Sequence, residues 1–109
     1  MRRVARLIGL KPECIDEYKR YHAEIWPELA AHIKSCNIAN YSIFLREPEN
    51  LLFLYFEYTG EDYEADMAKL TGAEVQQRWQ RLMRPMQAPL PSGAEGEWFV
   101  TLEEVFRLD

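Results

Sequence analysis

The residues best suited to acid–base chemistry in this sequence are Tyr18 and His22, and His22 is one of only two histidines. Around them, apolar and aromatic side chains recur at steps of three and four, the spacing of one face of an α-helix; this face comprises Ile15, Tyr18, His22, Ile25, Leu29 and Ile33. A phenol and an imidazole one turn apart point the same way, and imidazole titrates near neutral pH. The pair is therefore a candidate for proton transfer. The alternative is a core stripe in which each polar atom bonds to the backbone.

A proline interrupts this helical pattern. Pro27 has no N–H to donate to the preceding turn. We therefore expect the helix to kink there, or to end near Ala23 and restart with Pro27 in its first turn. If the helix ends near Ala23, His22 lies in the last turn, where the helix dipole favours the protonated imidazole.

Other side chains could assist this pair. Tyr41 is predicted on an aliphatic strand face, opposite to Ile38, and its hydroxyl needs a partner if it is buried, which a substrate hydroxyl could supply. Trp79 lies on an amphipathic helical segment and is most simply a core residue. Glu103 and Glu104 fall on opposite faces of the last predicted strand. The inward one would be paired or have a shifted pKa, which makes it a candidate for a second acid or base.

Composition and charge exclude several classes of protein. The 109 residues are predicted to form a single domain, residues 1–109, long enough to bury a core. A net charge of −5 argues against a nucleic-acid or anionic membrane surface. Apolar runs fall short of the ~20 residues of a membrane span, and the N-terminus lacks a signal-peptide core, so we expect a cytoplasmic protein. The sequence has no metal-binding motif, so no metal site is predicted.

The order of the predicted elements indicates the fold class. Four strands are predicted, at residues 3–10, 38–46, 51–58 and 98–108. Helical segments are predicted at residues 12–35, 62–70 and 73–86, followed by a proline- and glycine-rich loop at 87–96. The resulting order, β-α-β-β-α-β, is that of a ferredoxin-like α+β domain, an antiparallel four-stranded sheet with helices on one face.

Both faces of the third predicted strand are apolar. Phe53 and Tyr55 alternate with Leu54 and Phe56, whereas a sheet with one face in water alternates apolar and polar residues more cleanly. Helices cover only one face of the sheet. We therefore expect a second copy of the chain to cover the other face and close a two-chain barrel, with a ligand cavity in the remaining space.

From Pro12 to Leu108 the sequence resembles the L-rhamnose mutarotase family. The resemblance rests on short motifs that are specific only together, in order and at near-constant spacing: Glu17-Tyr18 with His22, Ile25-Trp26-Pro27-Glu28-Leu29, Asn40-Tyr41-Ser42-Ile43, Asn50-Leu51-Leu52-Phe53, Gln77-Arg78-Trp79 and Glu104-Val105-Phe106-Arg107-Leu108. It implies a homodimeric ferredoxin-like α+β barrel. It also implies an isomerase that interconverts the α and β anomers of a monosaccharide, a 6-deoxy-hexose.

The resemblance also implies roles for individual residues. The family's proton-donating histidine falls on His22, and its sugar-contacting tyrosines fall on Tyr18 and Tyr41. The first residue of its Trp-Trp pair falls on Trp79. Gln80 stands where the family has the second tryptophan, so an amide replaces half of the ring-stacking wall and the preferred 6-deoxy sugar is left open. No cofactor is implied, since mutarotation only moves protons between the ring oxygen and the anomeric hydroxyl.

We expect His22 to carry the ring-oxygen proton, with Glu104 or a bound water as the partner base. Two alternatives stay open. The same dimeric barrel is found in cofactor-free monooxygenases and haem-degrading enzymes, in which a helix histidine can bind haem, and a fold does not determine a function. A module that only binds a sugar, without changing the rate of anomer exchange, is the non-enzymatic alternative.

Overall fold

The chain forms one antiparallel sheet with helices packed on one face, and a computed structural model describes residues 1–109. Its helices and strands are β1 (Arg2–Leu10), α1 (Ile15–Ala23), α2 (Pro27–Ser35), β2 (Ile38–Arg46), β3 (Leu51–Tyr58), α3 (Tyr63–Gly72), α4 (Glu74–Met83), β4 (Gln87–Ala88) and β5 (Val100–Thr101). The strands lie in the order β2-β3-β1-β4, and β5 also pairs with β1. The predicted α+β, ferredoxin-like architecture is confirmed. None of the helices has the length and apolar character needed to cross a bilayer.

The predicted break in the first helical region is confirmed. Helix α1 ends at Ala23, and α2 begins at Pro27. Trp26, the residue before the proline, has extended backbone angles, because the proline ring disfavours helical geometry in the residue that precedes it. His22 therefore lies in the last turn of α1, as predicted.

A β-bulge in β2 sets the direction of Tyr41. Ala39 pairs with Glu57 and Ser42 pairs with Tyr55, so β2 contains one residue more than β3 across this interval. Asn40 has a φ of 50°, a left-handed conformation that asparagine tolerates. The prediction that Tyr41 and Ile38 face opposite sides is wrong, because the bulge interrupts the simple alternation and both residues line the same cavity.

The last predicted strand is much shorter than expected. Only Val100–Thr101 pairs with β1, and the residues that follow lie outside any strand, with three highly exposed apolar side chains, Val105, Phe106 and Leu108. Part of the predicted loop instead forms β4, which pairs with β1 at Gly9 and Leu10. Gly9 permits this pairing because a Cβ there would lie 2.6 Å from the carbonyl oxygen of Ala88.

The two faces of the sheet have different surroundings. The helix-facing side of β3 is buried along its whole length, and it contributes Leu52 to the core that α1, α2 and α4 share. The other side carries Phe44 and Phe53, which are 59% and 37% exposed and pair directly across the β2–β3 ladder. The prediction that β3 is apolar on both faces is confirmed.

The buried centre of the sheet supports a stability prediction. Ile8 is 0% exposed in β1, beneath the helices, so Ile8→Ala should lower the free energy of unfolding by ~2–5 kcal/mol through lost burial and a new cavity. Leu82→Ala on α4 is the control, because Leu82 is 38% exposed and alanine favours helix, so its cost should stay below about 1 kcal/mol. Urea unfolding measures both, and equal losses would contradict this account of the core.

Candidate active site

A cavity of about 640 Å³ lies between α1, α2 and the helix-facing side of β2, within the usual size range of small-molecule sites. Of its 17 lining residues, 13 are hydrophobic and none carries a carboxylate. Four of the side chains singled out from the sequence line it together: Tyr18, His22, Tyr41 and Trp79. The cavity lies between the helices and the sheet of a single chain. The two-chain barrel suggested by the sequence stays a prediction.

The imidazole of His22 has a fixed tautomer. Its Nδ1 lies 2.8 Å from the carbonyl oxygen of Tyr18, and a carbonyl only accepts, so Nδ1 carries the hydrogen. In the neutral ring Nε2 is then the acceptor. Burial lowers the pKa of His22 below its ordinary value, and the hydrogen bond to the Tyr18 carbonyl offsets this in part. Desolvation outweighs that hydrogen bond, so the net shift favours the neutral ring.

Tyr18 is almost completely buried beside this imidazole. It is 5% exposed, and the two ring centroids are 4.4 Å apart. Its hydroxyl accepts a hydrogen bond of 3.2 Å from Nε2 of Gln87, and Oε1 of Gln87 accepts one of 2.7 Å from Nε1 of Trp98. Burial raises the pKa of Tyr18, while the Gln87 hydrogen bond lowers it in smaller part.

Sequence reasoning missed Gln87 and its part in this cluster. The residue falls in the proline-rich stretch predicted to be a loop, and it belongs to none of the motifs quoted above. No local signal could have found it, because its partner Tyr18 is 69 residues away in the chain.

Trp79 forms the wall next to His22. It is 6% exposed, and it meets the His22 ring edge-on, with centroids 5.3 Å apart and an interplanar angle of 80°. Trp26 packs against it in the same edge-on manner at 5.1 Å. The imidazole thus contacts two aromatic rings, those of Trp79 and Tyr18, and Trp26 supports Trp79 from behind.

Tyr41 approaches the cavity from the sheet. Its ring stacks on Phe56 at 5.7 Å, and 40% of the residue as a whole is exposed, although its hydroxyl end is desolvated. That burial raises the pKa of Tyr41 well above its ordinary value; the neighbouring Tyr18 phenol raises it further, and Arg6 lowers it in part. The Tyr18 and Tyr41 hydroxyls are therefore close enough for the ionisation of one to oppose that of the other.

Two predicted site residues lie away from this cavity in the single chain. Gln80 lines a second, mostly polar cavity of about 610 Å³ between α4 and β5. Glu104 is exposed, outside any strand. The pKa of Tyr55, on the other face of the sheet, is raised chiefly by its hydrogen bond to Glu57 and to a smaller extent by Glu104. The sugar-binding role of Gln80 and the acid–base role of Glu104 stay predictions.

Comparison with known sequences points to one family. A family model described as L-rhamnose mutarotase matches residues 3–108. The L-rhamnose mutarotase of Listeria monocytogenes is 40% identical over 108 residues, which cover 99% of each chain. That of Pectobacterium carotovorum is 38% identical over 109 residues, which cover 100% of each chain.

Comparison with solved structures agrees. The L-rhamnose mutarotase FA22100 of Formosa agariphila matches 100% of both chains with a TM-score of 0.80 at 28% identity. A Caulobacter crescentus protein described as an antibiotic biosynthesis monooxygenase matches 95% of this chain and 89% of its own with a TM-score of 0.62. At 16% identity, that likeness shows a shared fold alone. The near-complete match to the family model, together with these sequence identities, shows that the chain belongs to the L-rhamnose mutarotase family.

Proposed function

We propose that this chain is an isomerase that interconverts the α and β anomers of L-rhamnose. The observation that carries the proposal is the cavity that contains His22, Tyr18, Tyr41 and Trp79 together. His22 is the lining side chain whose ordinary pKa lies closest to neutral pH. Family membership and the names of the relatives support the substrate.

The proposed reaction moves one proton between two oxygens. Ring opening removes the proton of the anomeric hydroxyl, breaks the bond from the anomeric carbon to the ring oxygen, and leaves an aldehyde and a new hydroxyl. Because both oxygens are bonded to the same carbon, Nε2 of a single imidazole can accept the first proton and deliver it to the second. The aldehyde then turns and closes on its other face, which reverses the transfers. General acid–base help of this kind contributes ~10²–10⁴-fold.

The cavity wall suits a 6-deoxy sugar. Leu29, Ile33, Ile43 and Leu45 supply an aliphatic lining that can accept the methyl group at carbon 6. A hydroxyl group at this carbon would lose its hydrogen bonds to water without gaining one from the aliphatic side chains, at a cost of about 1–3 kcal/mol. We assign Trp79 to packing against the sugar ring. The Tyr18 and Tyr41 hydroxyls are assigned to hydrogen bonds with the oxygen atoms of the sugar.

The proposed assembly is a homodimer formed through the uncovered face of the sheet. Phe44 and Phe53 are adjacent there, with ring centroids 6.2 Å apart, and Leu7 and Val100 pair across the same face. Contiguous exposed apolar surface of this kind usually marks an interface. The exposed apolar side chains after β5 add to the surface that a second copy would cover.

Replacing the imidazole tests the proposed chemistry. His22→Ala should lower the accelerated exchange between the two anomers of L-rhamnose by ~10²–10⁴-fold, measured by NMR saturation transfer between the anomeric proton resonances. His32→Ala is the matched control, because this second histidine bonds to the Leu70 carbonyl at 3.2 Å and does not line the cavity. Exchange by His22→Ala at the unmutated rate would contradict the assignment, and L-rhamnose binding without acceleration by the unmutated chain would favour a binding module.

The lowered pKa of His22 sets the direction of the pH dependence. Neutral Nε2 must accept the first proton, so kcat/KM should be constant at neutral pH and fall as the pH drops through the His22 pKa. The midpoint should lie below the ordinary value of 6.5, because burial favours the neutral ring. The measurement is the pH profile after subtraction of the uncatalysed rate. A midpoint above 6.5, or the same acidic limb in His22→Ala, would count against this role.

A charge on the uncovered sheet face tests the dimer. Phe44→Glu places a carboxylate in the centre of the apolar surface, so the variant should be a monomer by sedimentation velocity while the unmutated chain is a dimer. Leu82→Glu, at a position 38% exposed on α4, introduces the same charge on the helical side and should leave the dimer intact. An unmutated chain that sediments as a monomer at micromolar concentration would refute the proposed assembly.

A further inference from the structure

We infer that Gln87 is a positioning residue that orients the hydroxyl group of Tyr18 so that its proton points into the cavity. The orientation follows from the hydrogen bonds of three side chains, Trp98, Gln87 and Tyr18. Its effect on the rate of anomer exchange rests on the proposed function.

Trp98 determines which way the amide of Gln87 is turned. The indole Nε1–H can only donate, and it lies 2.7 Å from Oε1 of Gln87. Turning the amide over would bring two donors together, because its NH₂ group would then face the indole N–H. The oxygen of Gln87 is therefore fixed towards Trp98, and Nε2 is fixed on the other side.

The fixed orientation of the Gln87 amide determines the direction of its hydrogen bond with the Tyr18 hydroxyl. Nε2 of Gln87 only donates, so the Tyr18 oxygen, 3.2 Å away, must accept. The O–H of Tyr18 cannot point along the same line and must be donated elsewhere. Gln87 and Tyr18 are 4% and 5% exposed, so water does not compete freely for this bond. Tyr18 lines the cavity, where a sugar oxygen can accept its proton.

The result is a site with one acceptor and one donor side by side. Nε2 of neutral His22 accepts, while the Tyr18 hydroxyl donates, and the two rings are in contact at 4.4 Å. This combination assists ring opening, because a hydrogen bond from the Tyr18 hydroxyl polarises the ring oxygen while Nε2 of His22 takes up the anomeric proton and delivers it to that oxygen. Without Gln87, the Tyr18 hydroxyl would be free to rotate and would spend less time as a donor to the sugar.

The position of Gln87 depends on β4. Gln87 pairs with Leu10 of β1, and Ala88 pairs with Gly9. The close approach at Gly9 fixes the two-residue strand against the sheet. Strand pairing therefore fixes the backbone of Gln87, and the Trp98 indole beyond the following loop orients its side-chain amide.

A double-mutant cycle tests the inference through activity. Gln87→Met keeps the approximate size of the side chain but removes both hydrogen bonds, and it should lower kcat for L-rhamnose by about 3- to 10-fold with little change in KM. In the Tyr18→Phe background the same change should alter kcat by less than about twofold, because the hydroxyl that Gln87 orients is gone. An equal loss in both backgrounds would show a merely structural role, and unchanged kcat in Gln87→Met would also overturn the inference.

A second variant controls for a loss of stability in Gln87→Met. Gln87→Met leaves the part-buried Trp98 N–H without its acceptor, which destabilises a protein. The double variant Gln87→Met/Trp98→Phe removes both polar groups, so it should melt at a higher temperature than Gln87→Met and show the same loss of kcat. Full activity in the folded double variant would refute the inference.

An NMR measurement separates this inference from the proposed function. In the ¹⁵N-labelled chain, Tyr18→Phe should shift one of the two side-chain amide proton resonances of Gln87 upfield, because that proton loses its acceptor. An unchanged amide resonance would overturn the positioning role whatever the activity. A chain that does not accelerate anomer exchange would refute the proposed function instead, while the amide shift would still decide the orientation of Tyr18.

Discussion

The chemistry that we propose for the cavity depends on the hydrogen bond from Nδ1 of His22 to the carbonyl oxygen of Tyr18. This carbonyl belongs to the helix that carries both side chains, so one backbone atom fixes the tautomer of the imidazole without a carboxylate partner. Burial favours the neutral ring. A neutral imidazole whose Nδ1 is hydrogen-bonded to the backbone and whose Nε2 is free can take up and return a single proton. A hemiacetal that opens without cofactor chemistry needs no more than this from its base.

Much of the fold could be predicted because local chemistry determined it. Pro27 breaks the helix wherever the sheet lies, and the hairpin strands β2 and β3 have the bounds that their apolar runs indicate. The prediction was wrong where tertiary pairing decided the outcome. Gln87–Ala88 forms a strand within a proline-rich stretch because β1 offers an unpaired edge at Gly9. Leu102 still donates its backbone N–H to the carbonyl oxygen of Ala5, but the later apolar residues leave the sheet although β1 continues to Arg2.

The site could be predicted in part. Tyr18 and His22 share a helix face at a spacing that periodicity reveals, Tyr41 was a candidate from its strand position, and the resemblance to a family added a sugar-packing role for Trp79. The bulge at Asn40 was hidden, because alternation alone puts Tyr41 on the wrong side of the sheet relative to Ile38. Gln87 could not be found, since the sequence does not say which distant amide meets a given phenol. The pKa direction of His22 also requires the structure, because it depends on how much water the fold removes.

The bulge in β2 has a consequence for how copies of this chain can meet. β2 is the outermost strand of the sheet, and an outermost strand with free backbone groups invites the strands of other molecules to add to it. At the bulge, the left-handed backbone of Asn40 and the extra residue disturb the regular spacing of those groups. The irregularity therefore discourages open-ended strand addition along this border.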